Sequence, residues 1–366
     1  MIIYIIMFLC SLLLIYISYI INNKFIRKLL LLCGLLLPCL LAAFRNLSIG
    51  TDTSGYVFRL FNWSQYSNHF YDFVNLCLKA GDLNDFGYLF ITFVSYKFFG
   101  NIKFLFFISE FLVIFPIFLS LTIKSKNKST IILGMLFFYL YIYNVSLNMV
   151  RQSIAISFLI LGLTLLDTKQ TKKSVLCLII AVLFHKTAVV GGVLYLIYAL
   201  IKRDKKEMKV FLFLIYVISI ISVLFYKEFI VLISDLNIYA HGVEYLNKYS
   251  IFDPKIMDTC VYVFLLLVYM FNNKEYKETI INSKFYNFMI AESLIILQFG
   301  MFIRYADRLS LYFLYPFLIN GLPYLYDNQK NMQKSKLILI IFFIFYWFYS
   351  FVILNLHETI PYVFSK

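Results

Sequence analysis

Long apolar runs separated by short polar connections extend along almost the whole chain. Several runs are shorter than the roughly 20 residues that an upright transmembrane helix needs, so aromatic extensions or neighbouring helices must complete them. The pattern predicts membrane-spanning helices in most of these runs. They lie at about 1–22, 29–44, 104–123, 130–148, 151–166, 174–185, 188–201, 210–226, 259–271, 285–302, 309–326 and 337–354.

A further segment, Phe86 to Phe99, is amphipathic and is interrupted by Lys97. This pattern is typical of a helix that lies in the membrane interface or re-enters the membrane without crossing it. The sequence therefore predicts an all-α fold, a polytopic bundle of about twelve transmembrane helices plus this one. The whole chain, residues 1–366, is predicted to be a single integral membrane domain.

Composition supports the membrane class. The 366 residues are 62% hydrophobic and only 14% charged, against roughly a quarter charged in a typical soluble domain. A water-soluble protein of this length could not bury so much apolar surface. The first apolar run lacks the basic residues and the small-residue cleavage site of a signal peptide, so it is predicted to be a span.

Basic residues concentrate in six short connections, which hold 20 of the 33 lysines and arginines. The positive-inside rule places these connections in the cytoplasm, which explains the net charge of +14 without a nucleic-acid partner. The assignment requires that 86–99 does not cross and that 174–200 forms two short helices. Both termini and the larger segments 45–103 and 227–258 are then extracytoplasmic. The connections read NNKFIRK, KSKNKS, DTKQTKK, KRDKKEMK, NNKEYKETIINSK and DNQKNMQKSK.

The remaining unusual polar groups fall on the opposite side, beginning with RNLSIGTDTSGY. Arg45 ends the second apolar run, and Asp52 follows in a compact turn of threonines and glycines. The sequence predicts that Asp52 lies near this cation. A plain interfacial arginine followed by a loop is the alternative.

Arg151 stands in NMVRQS, between two apolar runs. An ionised side chain at a span boundary usually faces a bundle interior or an aqueous cavity. The alternative is that Arg151 reaches lipid phosphates at the membrane interface. The neighbouring Gln152 and Ser153 favour a polar cavity, in which Gln152 would support the arginine.

His185 and the motif RYADR complete the polar set. His185 lies at the predicted break between two short helices, where an imidazole is suited to act as a base or hydrogen-bond donor, or else is structural. In RYADR, Arg304, Asp307 and Arg308 would share one helix face. Asp307 would hold Arg304, or the two arginines would form a clamp; an ion pair in an outer loop is the alternative.

Sequence signatures of nucleotide-dependent, zinc-dependent and serine enzymes are absent. The tripeptide DFG at Asp85–Gly87 stands without any other kinase element, so it is interpreted as a coincidence. No histidine spacing indicates a metal site. The four outer arginines have guanidinium forks that suit phosphate oxygens. Such a set fits an enzyme that stabilises a lipid-diphosphate leaving group with fixed positive charge and no cofactor.

Five short motifs occur in a fixed order that resembles the EpsG-like branch of polysaccharide polymerases, which are Wzy-type proteins of capsule, O-antigen and exopolysaccharide clusters. The resemblance extends from about Arg45 to Tyr312. The motifs are RNLSIGTDTSGY, DFGYLF, NMVRQSIAISFLILGL, LFHKTAVV and RYADRLSLYF.

This resemblance implies a multi-pass glycosyltransferase of the bacterial cytoplasmic membrane, with an active site that faces the extracytoplasmic side. Its donor and acceptor would be oligosaccharide repeat units carried on undecaprenyl diphosphate, and the sugar–phosphate bond would drive transfer. Membrane lipids and other polysaccharide-assembly proteins are the further partners that the resemblance implies.

The polar residues then receive hypothetical roles. Arg45 would orient Asp52 or contact a second phosphate, and Asp52 or His185 would deprotonate the acceptor hydroxyl. Three other functions stay open: a ligase that uses the same donor with another acceptor, a flippase or transporter for the lipid-linked unit, and a structural assembly protein, which the arginines at the membrane edge disfavour. The departing diphosphate is assigned to Arg151, Arg304 and Arg308.

Overall fold

The computed structural model describes residues 1–80, 85–202, 207–235, 252–273, 280–326 and 332–365. In these ranges the chain is helical and contains no strand, which confirms the predicted all-α fold. Among the described residues, five helices are long and apolar enough to cross a membrane, and a helix pair bent by 103° is a sixth candidate. The total of about twelve spans stays a prediction. The five helices are Lys24–Ala43, Ile102–Lys124, Lys128–Asn148, Val150–Asp167 and Gln333–Ile353, and the bent pair is Val210–Leu224 with Tyr226–Leu232.

The chain divides into two compact units, Met1–Val189 with Leu318–Lys366, and Val190–Phe317. The α-helices of the first unit are α1 (Ile2–Ser18), α2 (Lys24–Ala43), α3 (Phe58–Trp63), α4 (Phe70–Lys79), α5 (Phe86–Val94), α6 (Ile102–Lys124), α7 (Lys128–Phe137), α8 (Tyr143–Asn148), α9 (Val150–Asp167), α10 (Thr171–Phe184) and α17 (Gln333–Trp347). Those of the second unit are α11 (Val190–Lys202), α12 (Glu207–Leu224), α13 (Tyr226–Asp235), α14 (Ile256–Asn273), α15 (Ile280–Leu297) and α16 (Leu311–Asn320, whose last three residues belong to the first unit).

Helix α9 lies at the centre of the first unit, packed against α6, α8 and α10. It is buried around almost its whole circumference, as expected for a helix that is apolar on all faces. Met149, with φ −88° and ψ 60°, interrupts the helical path between α8 and α9. This break places Arg151 in the first turn of the central helix.

The two ends of the first unit differ in charge. At one end lie the basic connections NNKFIRK, KSKNKS and DTKQTKK. At the same end Lys336 Nζ donates to Ser129 Oγ at 3.0 Å, which joins the start of α17 to the start of α7. At the opposite end α9 begins and α10 ends, and with them lie Arg151 and His185. The first unit thus separates these three basic connections from Arg151 and His185, whereas the side that faces the cytoplasm stays a prediction.

The C-terminal segment folds back across the end that carries Arg151. Phe364 forms an isolated antiparallel bridge with Arg45, and Gly50 N donates to Glu358 O at 3.0 Å. These backbone contacts attach the loop after α2 to the last residues of the chain.

The structure confirms that 174–200 is two helices. Helix α10 ends at Phe184, His185 is extended with φ −159° and ψ 121°, and a 3₁₀ turn at Lys186–Val189 precedes α11. The segment Phe86–Phe99 is helical, an α-helix followed by a π-helical turn. Its depth in the membrane, the single-domain prediction and the extracytoplasmic location of 45–103 and 227–258 stay predictions. Residues 236–251 lie outside the described residues.

Candidate functional site

Arg151 forms a partly buried ion pair with Asp85, the residue that precedes α5. Arg151 Nη1 donates to Asp85 Oδ2, and the two side chains are 15% and 4% exposed. A cation in the first turn of a helix opposes the helix dipole, and a buried charge without a partner is costly. The carboxylate of Asp85 therefore holds Arg151 at the beginning of α9.

His185 shares the same carboxylate, because its Nδ1 lies 3.3 Å from Asp85 Oδ2. The ionised carboxylate can only accept hydrogen bonds, which assigns the hydrogen of a neutral imidazole to Nδ1. His185 Nε2 is then the nitrogen that can accept a proton. Asp85 thus links a fixed cation to an oriented imidazole.

The glycine of the same motif explains how these groups meet. A Cβ atom on Gly87 would lie 3.1 Å from Leu183 O and from Phe184 Cδ2. Because glycine has no side chain, α5 can approach the C-terminal end of α10 this closely. The approach brings Asp85 beside His185, which follows α10 directly.

The ionisation of Asp85 reflects opposing effects. Burial disfavours the charged carboxylate, but the hydrogen bond from His185 and the charge of Arg151 outweigh it, so the pKa of Asp85 lies below its ordinary value of 3.8. At neutral pH Asp85 is therefore negatively charged and neutralises Arg151.

Two aromatic side chains cover the other side of Arg151. Its Cζ lies 4.2 Å from the centroid of the Tyr56 ring, over the face of the ring. Tyr56 in turn packs edge-to-face on Tyr88, with ring centroids 5.8 Å apart. Burial raises the pKa of Tyr56 well above its ordinary value, with Asp52 also raising it. The Tyr56 hydroxyl is thus a neutral hydrogen-bond donor beside the arginine.

Asp52 belongs to the same neighbourhood, since it interacts electrostatically with Tyr56 and Arg151. Its loop is fixed to the end of α8 by Asn148, whose Oδ1 accepts from Thr51 Oγ1 at 2.9 Å and from Asp52 N at 3.1 Å. The loop approaches closely because Gly50 adopts a φ of +81°, and a Cβ there would lie 2.8 Å from a carbonyl oxygen of α8.

Arg45 lies inside the protein and is only 2% exposed. Its Cζ is 4.4 Å from the centroid of the Phe106 ring, and it interacts electrostatically with Glu110. The Glu110 carboxylate oxygens lie 3.0 and 3.1 Å from Ser146 Oγ. Glu110 of α6 is thus an acidic neighbour of Arg45 that sequence reasoning missed, and the predicted proximity of Asp52 to Arg45 stays a prediction. Diphosphate binding by Arg45 stays a prediction.

In the second unit, the predicted helical face of RYADR is wrong. Tyr305 has a φ of +70° and separates Arg304 from the 3₁₀ helix Ala306–Ser310. A left-handed residue breaks the spacing that a shared helix face requires. The two guanidinium Cζ atoms, of Arg304 and Arg308, instead lie 5.0 and 4.5 Å from the Tyr305 ring centroid. Asp307 lies in the 3₁₀ helix, and its role in holding Arg304 stays a prediction.

The first unit therefore brings together three of the residues proposed from sequence, Asp52, Arg151 and His185. Gln152 is buried in α9, and its supporting role stays a prediction. Sequence reasoning missed Asp85, although the signal lay in DFGYLF, one of the motifs that carried the family resemblance. Within the described ranges, no group of three or more His, Cys, Asp and Glu residues could hold a metal ion.

Chemically, the cluster joins a fixed cation to an oriented proton acceptor at one end of a helix bundle. Preorganised positive charge stabilises a leaving group that gains negative charge, and an imidazole near it can take a proton from an attacking hydroxyl. This combination suits group transfer from a phosphorylated donor.

Comparison with known proteins agrees with this chemistry. A model of the EpsG family matches residues 28–364, which include every residue of the cluster. No curated protein and no solved structure matches this chain.

Proposed function

This chain belongs to the EpsG family, and on that premise we propose that it polymerises lipid-linked oligosaccharide repeat units at the outer leaflet of the bacterial cytoplasmic membrane. The family and the apolar helices together indicate a membrane polysaccharide polymerase of glycosyltransferase type. The finer proposal is that both donor and acceptor are repeat units on undecaprenyl diphosphate, and that the product is a surface polysaccharide.

The observation that carries this proposal is the partly buried cluster of Arg151, Asp85 and His185 at one end of the first unit. Asp85 occupies one nitrogen of the guanidinium, Nη1, and Arg151 Nε is buried without a hydrogen-bond partner. An arginine whose Nε–H group is still available can donate a hydrogen bond to a phosphate oxygen. Arg151 is therefore the proposed principal contact of the departing diphosphate.

In the proposed reaction, the oxygen of an acceptor hydroxyl forms a bond to the anomeric carbon of the donor. The bond between that carbon and the phosphate oxygen breaks, and its electron pair leaves with the lipid diphosphate. His185 Nε2 takes the hydroxyl proton, and Asp85 stabilises the imidazolium that forms.

Binding of the diphosphate by Arg304 and Arg308 of the second unit is a proposal that rests on their charge and on their shared contact with Tyr305.

The function is tested by reconstituting the purified protein in liposomes with one lipid-linked repeat unit as the sole donor and acceptor. The expected result is a ladder of products that differ by one repeat unit. A single transfer to an unrelated acceptor without a ladder would identify a ligase. Movement of the lipid-linked unit across the bilayer without a new glycosidic bond would identify a flippase.

The identity of the base is tested by comparing His185→Ala with Asp52→Asn. We expect His185→Ala to lower the initial rate of polymerisation by about 10²–10⁴-fold, the usual contribution of a general base. Asp52→Asn is expected to have a smaller effect, because the imidazole is the group that Asp85 orients. The exposed His69 provides a control in His69→Ala. The reverse order of effects would identify Asp52 as the base, and normal rates in both variants would exclude both residues.

A further inference from the structure

We infer that the buried hydroxyl of Tyr88 is a substrate-binding group, which donates a hydrogen bond to a phosphate oxygen of the lipid-linked donor beside Arg151. This inference rests on the proposed function and assigns to its site a residue that carries no role in the reaction described above. It follows from the hydrogen bonding around Tyr88, from the charges on either side of it and from the chemistry of its neighbours.

The Tyr88 hydroxyl lacks a hydrogen-bond partner in the protein. Its side chain is 0% exposed, and the hydroxyl oxygen is buried without a hydrogen bond. Ser109 interacts with the Tyr88 hydroxyl, but the two groups lie outside hydrogen-bond geometry, and the Ser109 hydroxyl donates to Leu105 O at 2.7 Å within α6. A buried polar group left unpaired destabilises the folded protein. Groups of this kind in a folded protein call for a specific explanation, and ligand binding is one.

Two cations lie near this hydroxyl. Tyr88 interacts electrostatically with Arg151 and Arg45, and also with the carboxylate of Asp52. Arg45 is buried, and the side chain of Arg151 is 15% exposed. The Nε atoms of both arginines are also buried without a hydrogen-bond partner, as is the hydroxyl of Tyr56. Each of these four atoms carries a hydrogen that it can donate.

The acceptors of the same neighbourhood are engaged elsewhere. Asp85 accepts from Arg151 and contacts His185, and Glu110 contacts Ser146. A third carboxylate, that of Asp52, interacts with Tyr56 and Arg151. The four unpaired donors of the cluster therefore lie beside carboxylates that already have partners. A phosphate oxygen fits such a cluster because it only accepts hydrogen bonds and carries negative charge. A sugar hydroxyl fits less well, because it brings a hydrogen that would need an acceptor of its own.

The test is Tyr88→Phe, which removes the hydroxyl oxygen alone. We expect the thermal midpoint of the purified protein to stay unchanged or to rise slightly, because no hydrogen bond within the protein is lost. We expect kcat/KM for the lipid-linked donor to fall by about tenfold to a hundredfold, the range for a hydrogen bond to a charged group.

Tyr143→Phe is the matched control. Tyr143 is also 0% exposed, but its hydroxyl donates to Pro38 O at 2.8 Å. This variant should lower the thermal midpoint without a change in KM for the donor. The inference is overturned if Tyr88→Phe retains the wild-type kcat/KM, or if it lowers the thermal midpoint as Tyr143→Phe does.

A binding measurement separates this inference from the polymerase function. Undecaprenyl diphosphate, the product common to every transfer from this donor class, is added to wild-type protein and to Tyr88→Phe, and the thermal midpoint is recorded. Stabilisation of the wild type that is reduced in Tyr88→Phe supports the inference even if no polymer forms. Equal stabilisation of both proteins, or none of the wild type, overturns it even if polymer is made.

Discussion

Replacing Arg151 with lysine is expected to slow polymerisation by about 10²–10³-fold, the usual effect of removing one group that stabilises developing negative charge. Lysine keeps the positive charge but lacks the planar fork of arginine. A single ammonium group cannot hold Asp85 through one nitrogen and present a second, fixed nitrogen to a phosphate oxygen. Arg151→Ala is expected to be at least as impaired, because it also removes the charge.

The measurement is the initial rate in liposomes, together with polymer length in cells that depend on the variant. Arg59→Lys is the matched control, since Arg59 lies on the surface of α3 with its Cζ 5.5 Å from the centroid of the Trp63 ring. A fully active Arg151→Lys would mean that charge suffices and that the fork is dispensable. A fully active Arg151→Ala would remove Arg151 from the mechanism.

Replacing Asp85 with asparagine is expected to impair both activity and stability. The amide has the shape of the carboxylate but no charge, so Arg151 becomes a buried cation without its counter-ion, at a cost of about 3–5 kcal/mol. The amide also no longer fixes the imidazole of His185 in one tautomer. We expect the initial rate to fall by about 10²–10⁴-fold, because proton transfer to a misoriented base is lost.

The dependence of stability on pH distinguishes the charge of Asp85 from its shape. Since the pKa of Asp85 in the folded protein lies below its ordinary value of 3.8, the contribution of its charge to stability is complete above pH 3.8. It is lost as the pH falls through the lowered pKa. The thermal midpoints of wild type and Asp85→Asn should therefore differ across the neutral range and converge only at lower pH.

Asp72→Asn, a change on the exposed surface of α4, is the control and should match the wild type throughout. A difference between wild type and Asp85→Asn that disappeared already near pH 6 would contradict the lowered pKa. Equal midpoints at neutral pH would contradict the buried ion pair.

Local sequence was sufficient where the determining interactions are local. The break at His185 was predictable. Placing all six basic connections on one side of the membrane required two short helices between Ser174 and Leu200, and the structure has them. The same reasoning anticipated that the polar groups at Arg151 and His185 lie at the end of the first unit opposite the basic connections NNKFIRK, KSKNKS and DTKQTKK. Motif order also gave the correct family.

The partners of the two buried arginines required tertiary structure. Asp85 is 66 residues from Arg151 in sequence, and its motif contained no local sign of a partner. The contact exists because Gly87 lets α5 approach the end of α10. Arg45 likewise faces Glu110 of α6, although Asp52 is much closer in sequence.

The sequence by itself determined that this chain is an all-helical membrane protein of the EpsG family, and that cations stand at the ends of its helices. Hydrophobic runs, loop charges and ordered motifs are properties of contiguous residues, so they are visible without a fold. Only the tertiary structure decided which carboxylate neutralises which cation, and that the Tyr88 hydroxyl is buried without a hydrogen-bond partner. Those pairings depend on how closely helices pack, and the distance between two helices is set by residues far apart in the chain.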